Sequence, residues 1–253
     1  MTLPVLFLPG SLCDGRVFAG QLAAYDNAQV VDLTRSSTIE GLAADVLAAA
    51  PPRFALVGLS LGGIVASEIT HQAPDRVAGV EMLDTNLAEP DDEQLSTRRS
   101  WAERAQAGQL SQLVSEMVPS LTIDSLVQRD VIMSMASNLG SEVFARQNDA
   151  LFHRRDRREN PDRFDGPVLV ACGSYDLVCP PSLDRSSRTG FAIHGWRSWP
   201  VPATFRPSIG QLRWTSSSWI GSLRASLPLS DAGTRLITYV ITMAVCGCKR
   251  SQE

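Results

Sequence analysis

The pentapeptide Gly58-Leu59-Ser60-Leu61-Gly62, with Gly63 behind it, sets a hydroxyl between glycines two positions away on either side. That spacing fits a nucleophile elbow, a strand-to-helix corner so tight that a side chain at either glycine would meet the neighbouring strand or helix. The strained corner pushes the Ser60 hydroxyl into a cleft, where it can attack an electrophilic carbonyl carbon. A serine hydroxyl is a poor nucleophile by itself. Acyl transfer also needs a base to take the proton, a carboxylate to orient that base, and amide donors for the developing oxyanion.

Candidates exist for three of these parts. Asp176 follows the apolar run Val168 to Cys172 in the polar loop that begins Gly173-Ser174-Tyr175, the place of an orienting acid; the competing reading is a cap for the next helix. The amide after the serine belongs to Leu61, and the loop from Leu8 through Pro9, Gly10, Ser11, Leu12 and Cys13 to Asp14 can supply a second donor, the Ser11 N–H; otherwise that loop is only a tight turn. Asp84 closes the apolar run Val77 to Leu83 and is an alternative acid, although it reads first as structural. Cys13 reads as a packed thiol, and His71 and His153 as solvent-facing or capping residues. No metal-ligand or nucleotide-binding spacing occurs, and the chemistry calls for neither metal nor cofactor.

The elements that must hold these residues alternate. Pro4 to Leu8 reads as a strand, Val17 to Tyr25 as a helix, Gln29 to Leu33 as a strand, and Thr38 to Ala50 as a helix capped by Thr38 and stopped by Pro51-Pro52. Phe54 to Gly58 is the elbow strand, Ile64 to His71 the elbow helix, and Val77 to Leu83 a further strand. Strand-helix alternation predicts an α/β fold with a mostly parallel sheet covered by helices on both faces. Between Leu87 and Arg158 the rhythm changes to consecutive helical patterns around Trp101–Leu110, Leu113–Met117, Ile123–Ala136 and Glu142–Phe152, which predicts a cap over the strand ends. Val168 to Cys172 then resumes the sheet.

Composition agrees with one sizeable globular domain with a substantial core: 253 residues, 44% hydrophobic and 20% charged, with a formal net charge of −4. An acidic balance disfavours nucleic acid or an anionic membrane as partner and leaves a small-molecule substrate. The run Arg154-Arg155-Asp156-Arg157-Arg158-Glu159 is mixed in sign and reads as a solvated linker. Five cysteines without framework spacing fit a reducing compartment, and no signal-peptide pattern opens the chain, so the expectation is a cytoplasmic protein.

Residues 3 to 184 resemble the α/β-hydrolase superfamily, in its branch with a small helical cap. The matching pieces are the Leu8–Asp14 loop, the Ser60 elbow, Leu83-Asp84-Thr85, and Cys172-Gly173-Ser174-Tyr175-Asp176 followed by Pro180-Pro181. The resemblance implies a core of residues 1–86 and 160–184, a cap of residues 87–159, and a catalytic triad in the order serine, acid, histidine. The histidine should follow Asp176 after one more strand, within Gly-x-Gly-His, with a closing helix behind it. No such motif exists. Of the three histidines only His194 comes after the acid, and it serves as base only if the chain folds back to bring its ring to both Ser60 and Asp176.

Residues 185–253 form an atypical tail in which serines crowd and apolar periodicity is lost; it holds Trp196, Trp199, Trp214 and Trp219 out of five tryptophans in all. Reading the coding DNA one base out of step, from the last base of each codon, gives a different text. Trp199-Pro200 then encodes only alanine, and Trp214-Thr215 and Trp219-Ile220 encode only aspartate, within a run that is otherwise apolar if the serines use TCN codons. That pattern resembles the superfamily's terminal helix. The junction of Ala203 with Thr204 becomes NAC. Lys249 is the only lysine among 23 Lys and Arg residues, a sign of GC-rich coding, so histidine or aspartate is favoured at that junction, after glycine or arginine and before an apolar residue. A one-base slip between about Leu183 and Gly190 accounts for the loss of the last strand, base and helix; a divergent native terminus is the alternative. On the same reading Leu236–Cys248 is no membrane anchor and Cys246-Gly247-Cys248 no metal or redox site.

The function expected is hydrolysis of small carboxylic esters, thioesters or lactones through an acyl-enzyme, impaired by loss of the histidine. The alternatives are a non-catalytic ligand-binding protein and a carbon-carbon bond hydrolase or lyase on the same fold.

Overall fold

The computed structural model describes residues 3–22, 27–121, 126–158, 164–173 and 193–199. The elements are β1 (Val5–Leu8), a 3-10 turn (Gly15–Phe18) running into α1 (Ala19–Leu22), β2 (Ala28–Val30), α2 (Ile39–Ala49), β3 (Phe54–Leu59), α3 (Leu61–Gln72), β4 (Val77–Leu83), α4 (Asp92–Gln106), α5 (Leu110–Leu121), α6 (Leu126–Phe152), β5 (Val168–Gly173) and β6 (Ile193–Trp199). Among the described residues the strands make one sheet, ordered β2-β1-β3-β4-β5-β6, and every pair is parallel.

Two cores flank the sheet, as expected of parallel strands buried on both faces. On one side α2 and α3 bury Leu42, Val46, Val65 and Ile69 against Leu6, Leu8, Leu56 and Met82. On the other, Val17 and Phe18 pack with Phe7, Ala55, Leu59 and Leu83, and the rings of Phe7 and Phe18 lie 5.0 Å apart. The α2 helix starts where Thr38 accepts from the Gly41 N–H at 3.0 Å. At its other end Arg76 donates to the carbonyls of Leu47, Ala50 and Pro51, so orphan acceptors of the last turn are satisfied by one guanidinium.

Helices α4, α5 and α6 intervene between β4 and β5 and enclose a third cluster of Ala105, Leu110, Leu113, Val114, Ala136 and Phe144, which also takes in Leu12. Their bounds differ from the sequence expectation at α4, which begins at Asp92 under an Asp91 cap rather than near Trp101. That first stretch is polar and solvent-facing, so no apolar stripe announces it. The α6 helix bends at Gly140, whose φ of 77° and ψ of 175° break the helical path. The expected β2 over Gln29–Leu33 is shorter because this edge strand pairs only over Ala28–Val30.

The arginine run after α6 is a strap rather than a solvated linker. Arg154 is buried and donates to the carbonyls of Ala88 and Leu151 and to Gln94. Arg157 reaches Glu68 of α3 at 2.6 Å, while Arg155 stays exposed. Alternation along the segment explains the mixed composition: one side returns to the core and the other meets water.

Strand β6 falls inside the stretch assigned to the atypical tail. It pairs with β5 from Val168↔Ile193 to Gly173↔Trp199, because strand pairing is made by backbone groups and tolerates unusual side chains. The rest of that stretch, residues 185–192 and 200–253, lies outside the described residues.

Candidate active site

All strands run the same way, so their carboxyl ends share one edge of the sheet. Register fixes the level of each: Leu8 lies opposite Gly58, Leu59 opposite Leu83, and Leu83 opposite Ala171. Ser60 follows Leu59 at this edge with φ 51° and ψ −112°, outside the usual regions for a non-glycine residue. The residue is half-buried. The corner is held by backbone bonds: the Ser60 N–H donates to Leu83 O at 2.9 Å, and Ser60 O accepts from Gly63 and Ile64 at 3.0 and 3.2 Å.

The flanking glycines are required by space. A β-carbon on Gly58 would stand 2.5 Å from Gly62 O, one on Gly62 would strike the Leu8 carbonyl, and one on Gly63 would strike the Thr85 hydroxyl. Strand β3, helix α3 and the end of β1 thus meet at backbone contact distance around Ser60.

The Leu8–Asp14 loop crosses this corner. A β-carbon on Gly10 would lie 3.7 Å from Ser60 Cβ and 3.6 Å from Leu59 O. The loop closes on itself through Cys13 N–H to Gly10 O at 3.1 Å, and Leu12 takes a left-handed φ of 55°. Leu61 opens α3, so its N–H has no acceptor within the helix and belongs to the positive end of the helix dipole. Leu61 and Gly10, the residue before Ser11, therefore both lie beside Ser60.

Asp176 lies outside the described residues; β5 ends three residues earlier, at Gly173, on the same edge. Asp84 also sits on this edge, buried, with φ 46° and its N–H donating to Ala171 O at 2.9 Å. His194 is not brought to Ser60. It is the extra residue where β6 slips between Val168↔Ile193 and Leu169↔Gly195, near the level of Leu56. Four residues of strand rise and three strand spacings put it about 13 Å short of Ser60 along the strands and about 14 Å across the sheet, far beyond the reach of an imidazole.

Burial, with the Asp14 charge adding to it, pushes the Cys13 thiol up to about 12, which leaves it protonated and a packing group. His153 is exposed just past the end of α6 and contacts Asp149, whereas His71 lies half-buried in the last turn of α3 with its Nδ1 enclosed and unbonded, so that nitrogen neither meets solvent nor caps the helix. Sequence reasoning missed Gln147, a buried side chain of α6 bonded to Leu12 and Ser11. No local motif could have found it, because the contact joins residues more than a hundred positions apart.

No protein-family model matches the chain, and no curated protein matches its sequence. Solved structures do. An esterase from Thermogutta terrifontis is 24% identical over 77% of this chain and 80% of its own, with a TM-score of 0.68. An enol-lactonase from Burkholderia xenovorans LB400 is 22% identical over 79% of this chain and 84% of its own, with a TM-score of 0.70. A bromoperoxidase from Bacillus anthracis is 16% identical over 78% and 83%, with a TM-score of 0.65. At these identities the likeness is one of fold.

Proposed function

The chain has the α/β-hydrolase fold, and we propose that it is built for serine hydrolysis of small carboxylic esters, thioesters or lactones through an acyl-enzyme. The observation that carries this reading is Ser60 itself. It is half-buried at the strand-carboxyl edge, with a positive φ, between glycines that admit no β-carbon and beneath a loop that runs within van der Waals distance. A merely structural serine has no reason to hold that strain.

In the proposed reaction Ser60 Oγ bonds to the substrate carbonyl carbon as its proton passes to a base. The Leu61 and Ser11 amides hold the carbonyl oxygen as it becomes an oxyanion. Collapse expels the alcohol or thiol, which takes up the proton. Water then adds to the acyl-enzyme, releases the acid and returns the proton to Ser60. Asp176 orients the base in this scheme. The sequence has no histidine at the place where the scheme needs one, so the proposed acyl-transfer apparatus lacks its usual proton acceptor. Losing one triad member leaves a residual rate, carried by binding and oxyanion stabilisation.

The test is a fluorophosphonate probe read by intact mass, with p-nitrophenyl acetate turnover alongside. Slow, stoichiometric modification that disappears in Ser60→Ala is expected. Absence of any modification at Ser60 after prolonged reaction would overturn the proposal. A second reading, a ligand-binding member of the fold without turnover, is favoured by the missing Gly-x-Gly-His motif, and saturable binding of a small ester with no hydrolysis selects it. Carbon-carbon bond cleavage on the same scaffold is selected instead if esters are inert and a diketone substrate is consumed. Among the described residues no helix is long and apolar enough to cross a membrane.

A further inference from the structure

We propose that Gln147, on the cap helix α6, is a positioning residue that sets the geometry of the Ser11 loop and so makes docking of the helical insertion a condition for a formed oxyanion site. This rests on the hydrolase reading above.

Gln147 is 1% exposed and lies on the second arm of α6, past the Gly140 bend. Its Oε1 accepts from the Leu12 N–H at 2.9 Å and from Ser11 Oγ at 3.2 Å, while its Nε2 donates to Leu33 O at 3.0 Å. The partners fix the orientation of the amide, since Leu12 N–H can only donate and Leu33 O can only accept. One side chain thus spans the loop after β1 and the loop after β2. The loop it grips is strained at Leu12, whose φ of 55° an unbraced leucine would leave. The Leu12 side chain is buried in the apolar cluster of the insertion, so the loop is attached to the cap through both its backbone and its side chain.

The first arm of α6 grips the same loop. Met135 Sδ accepts from the Asp14 N–H at 3.5 Å, and Ser134 Oγ accepts from Arg16 at 2.8 Å. The loop that carries the Ser11 amide is thus clamped by both arms of one bent helix. A shift of the insertion as a body pulls Gln147 from Leu12, leaves buried polar groups unpaired, and frees the Ser11 amide to turn away from Ser60. In this design a substrate that seats the cap also completes the donor pair.

Hydrogen exchange measured on the full chain and phosphonylation of Ser60 test this together. Gln147→Met, which keeps the volume and removes both polar ends, should lower protection in peptides spanning residues 9–16 by ~10-fold or more while peptides within α3 are unchanged. It should also reduce the maximal phosphonylation rate on the order of 10- to 100-fold with the half-saturating probe concentration unchanged, as misplacement of a donor does. Gln147→Glu gives a check that survives poor folding of the first variant. Below pH 5 its protonated carboxyl offers one acceptor and one donor and should recover protection, whereas above pH 8 its carboxylate should not. Unchanged loop protection in Gln147→Met overturns the proposal, as does lost protection with an unchanged phosphonylation rate. A wild-type chain that never reacts at Ser60 removes the hydrolase reading instead, and loop protection then decides the brace alone.

Discussion

The amide nitrogen of Ser60 lies 2.9 Å from the carbonyl oxygen of Leu83, so the strained corner after β3 is hydrogen-bonded to the last residue of β4. The bond explains how a serine can be held at φ 51° at all: the corner is over-determined by its neighbours. The Leu8 carbonyl crowds it from the β1 side, at Gly62.

Gly62→Ala should therefore be severe, because the new methyl meets the backbone of β1, which cannot step aside without breaking the sheet. A loss of ~3 kcal/mol or more is expected. Gly108→Ala provides the contrast. Its φ is 77° but nothing lies within 4 Å of a β-carbon there, so only conformational strain is added, about 1 kcal/mol. Urea midpoints for the two variants measure the difference, and equal losses would show that space around Gly62 is not the constraint.

This corner was the part most legible in the sequence, because glycines at fixed offsets report backbone crowding directly. Strands β3, β4 and β5 were legible for a related reason: Phe54, Val77 and Val168 each begin a short apolar run whose ends are marked by glycine, proline or aspartate. The start of α4 was not, since a polar helix on a cap surface carries no stripe. Nor were the roles of Arg154, Arg157 and Gln147, each of which depends on a partner brought close only by the chain's return from the cap.

Glu81 gives the fold a pH dependence. It lies half-buried in the middle of β4 between Val57 and Leu169, and its desolvation there raises its carboxyl to about 7 from the ordinary value of 4.5. The folded protein then binds a proton between those values that the unfolded chain has released. The stability that Glu81 contributes is greatest below pH 4.5 and falls as pH rises to about 7, with no further loss beyond. Glu81→Gln should remove that dependence and stabilise the protein at pH 8 by roughly 1–2 kcal/mol relative to wild type, with little difference near pH 4.5. Denaturant titrations of both proteins at the two pH values check it, and a difference between wild type and variant that is the same at both would exclude the burial effect.

The strap behind α6 is fastened by Arg157 and Glu68, 2.6 Å apart and off the ideal hydrogen-bond line, with the Glu68 side chain 3% exposed. Glu68 also accepts from Gln72 at 3.0 Å. Removing the cation leaves a buried carboxylate with one neutral partner, so Arg157→Ala should cost ~3 kcal/mol. Replacing both residues by leucine should cost much less, since neither desolvated charge remains. Equal losses for the single and double variants would mean that the arginine contributes through its packing.

Gly173 pairs with Trp199, so β6 ends on the edge of the sheet that carries Ser60, whereas His194 sits near the opposite end of the same strand. A base reaching Ser60 must therefore follow Trp199 rather than precede it. In the alternate reading frame the codon at the Ala203–Thr204 junction falls four residues past Trp199 and has the form NAC. The coding DNA should show CAC there, and a gene whose frame is restored between codons 183 and 190 should yield a chain with ester turnover higher by up to ~10⁶. Ser60→Ala in that restored chain should abolish the gain. If the junction encodes aspartate, asparagine or tyrosine, the slip did not erase a histidine, and Ser60 must draw on a base from some other part of the fold.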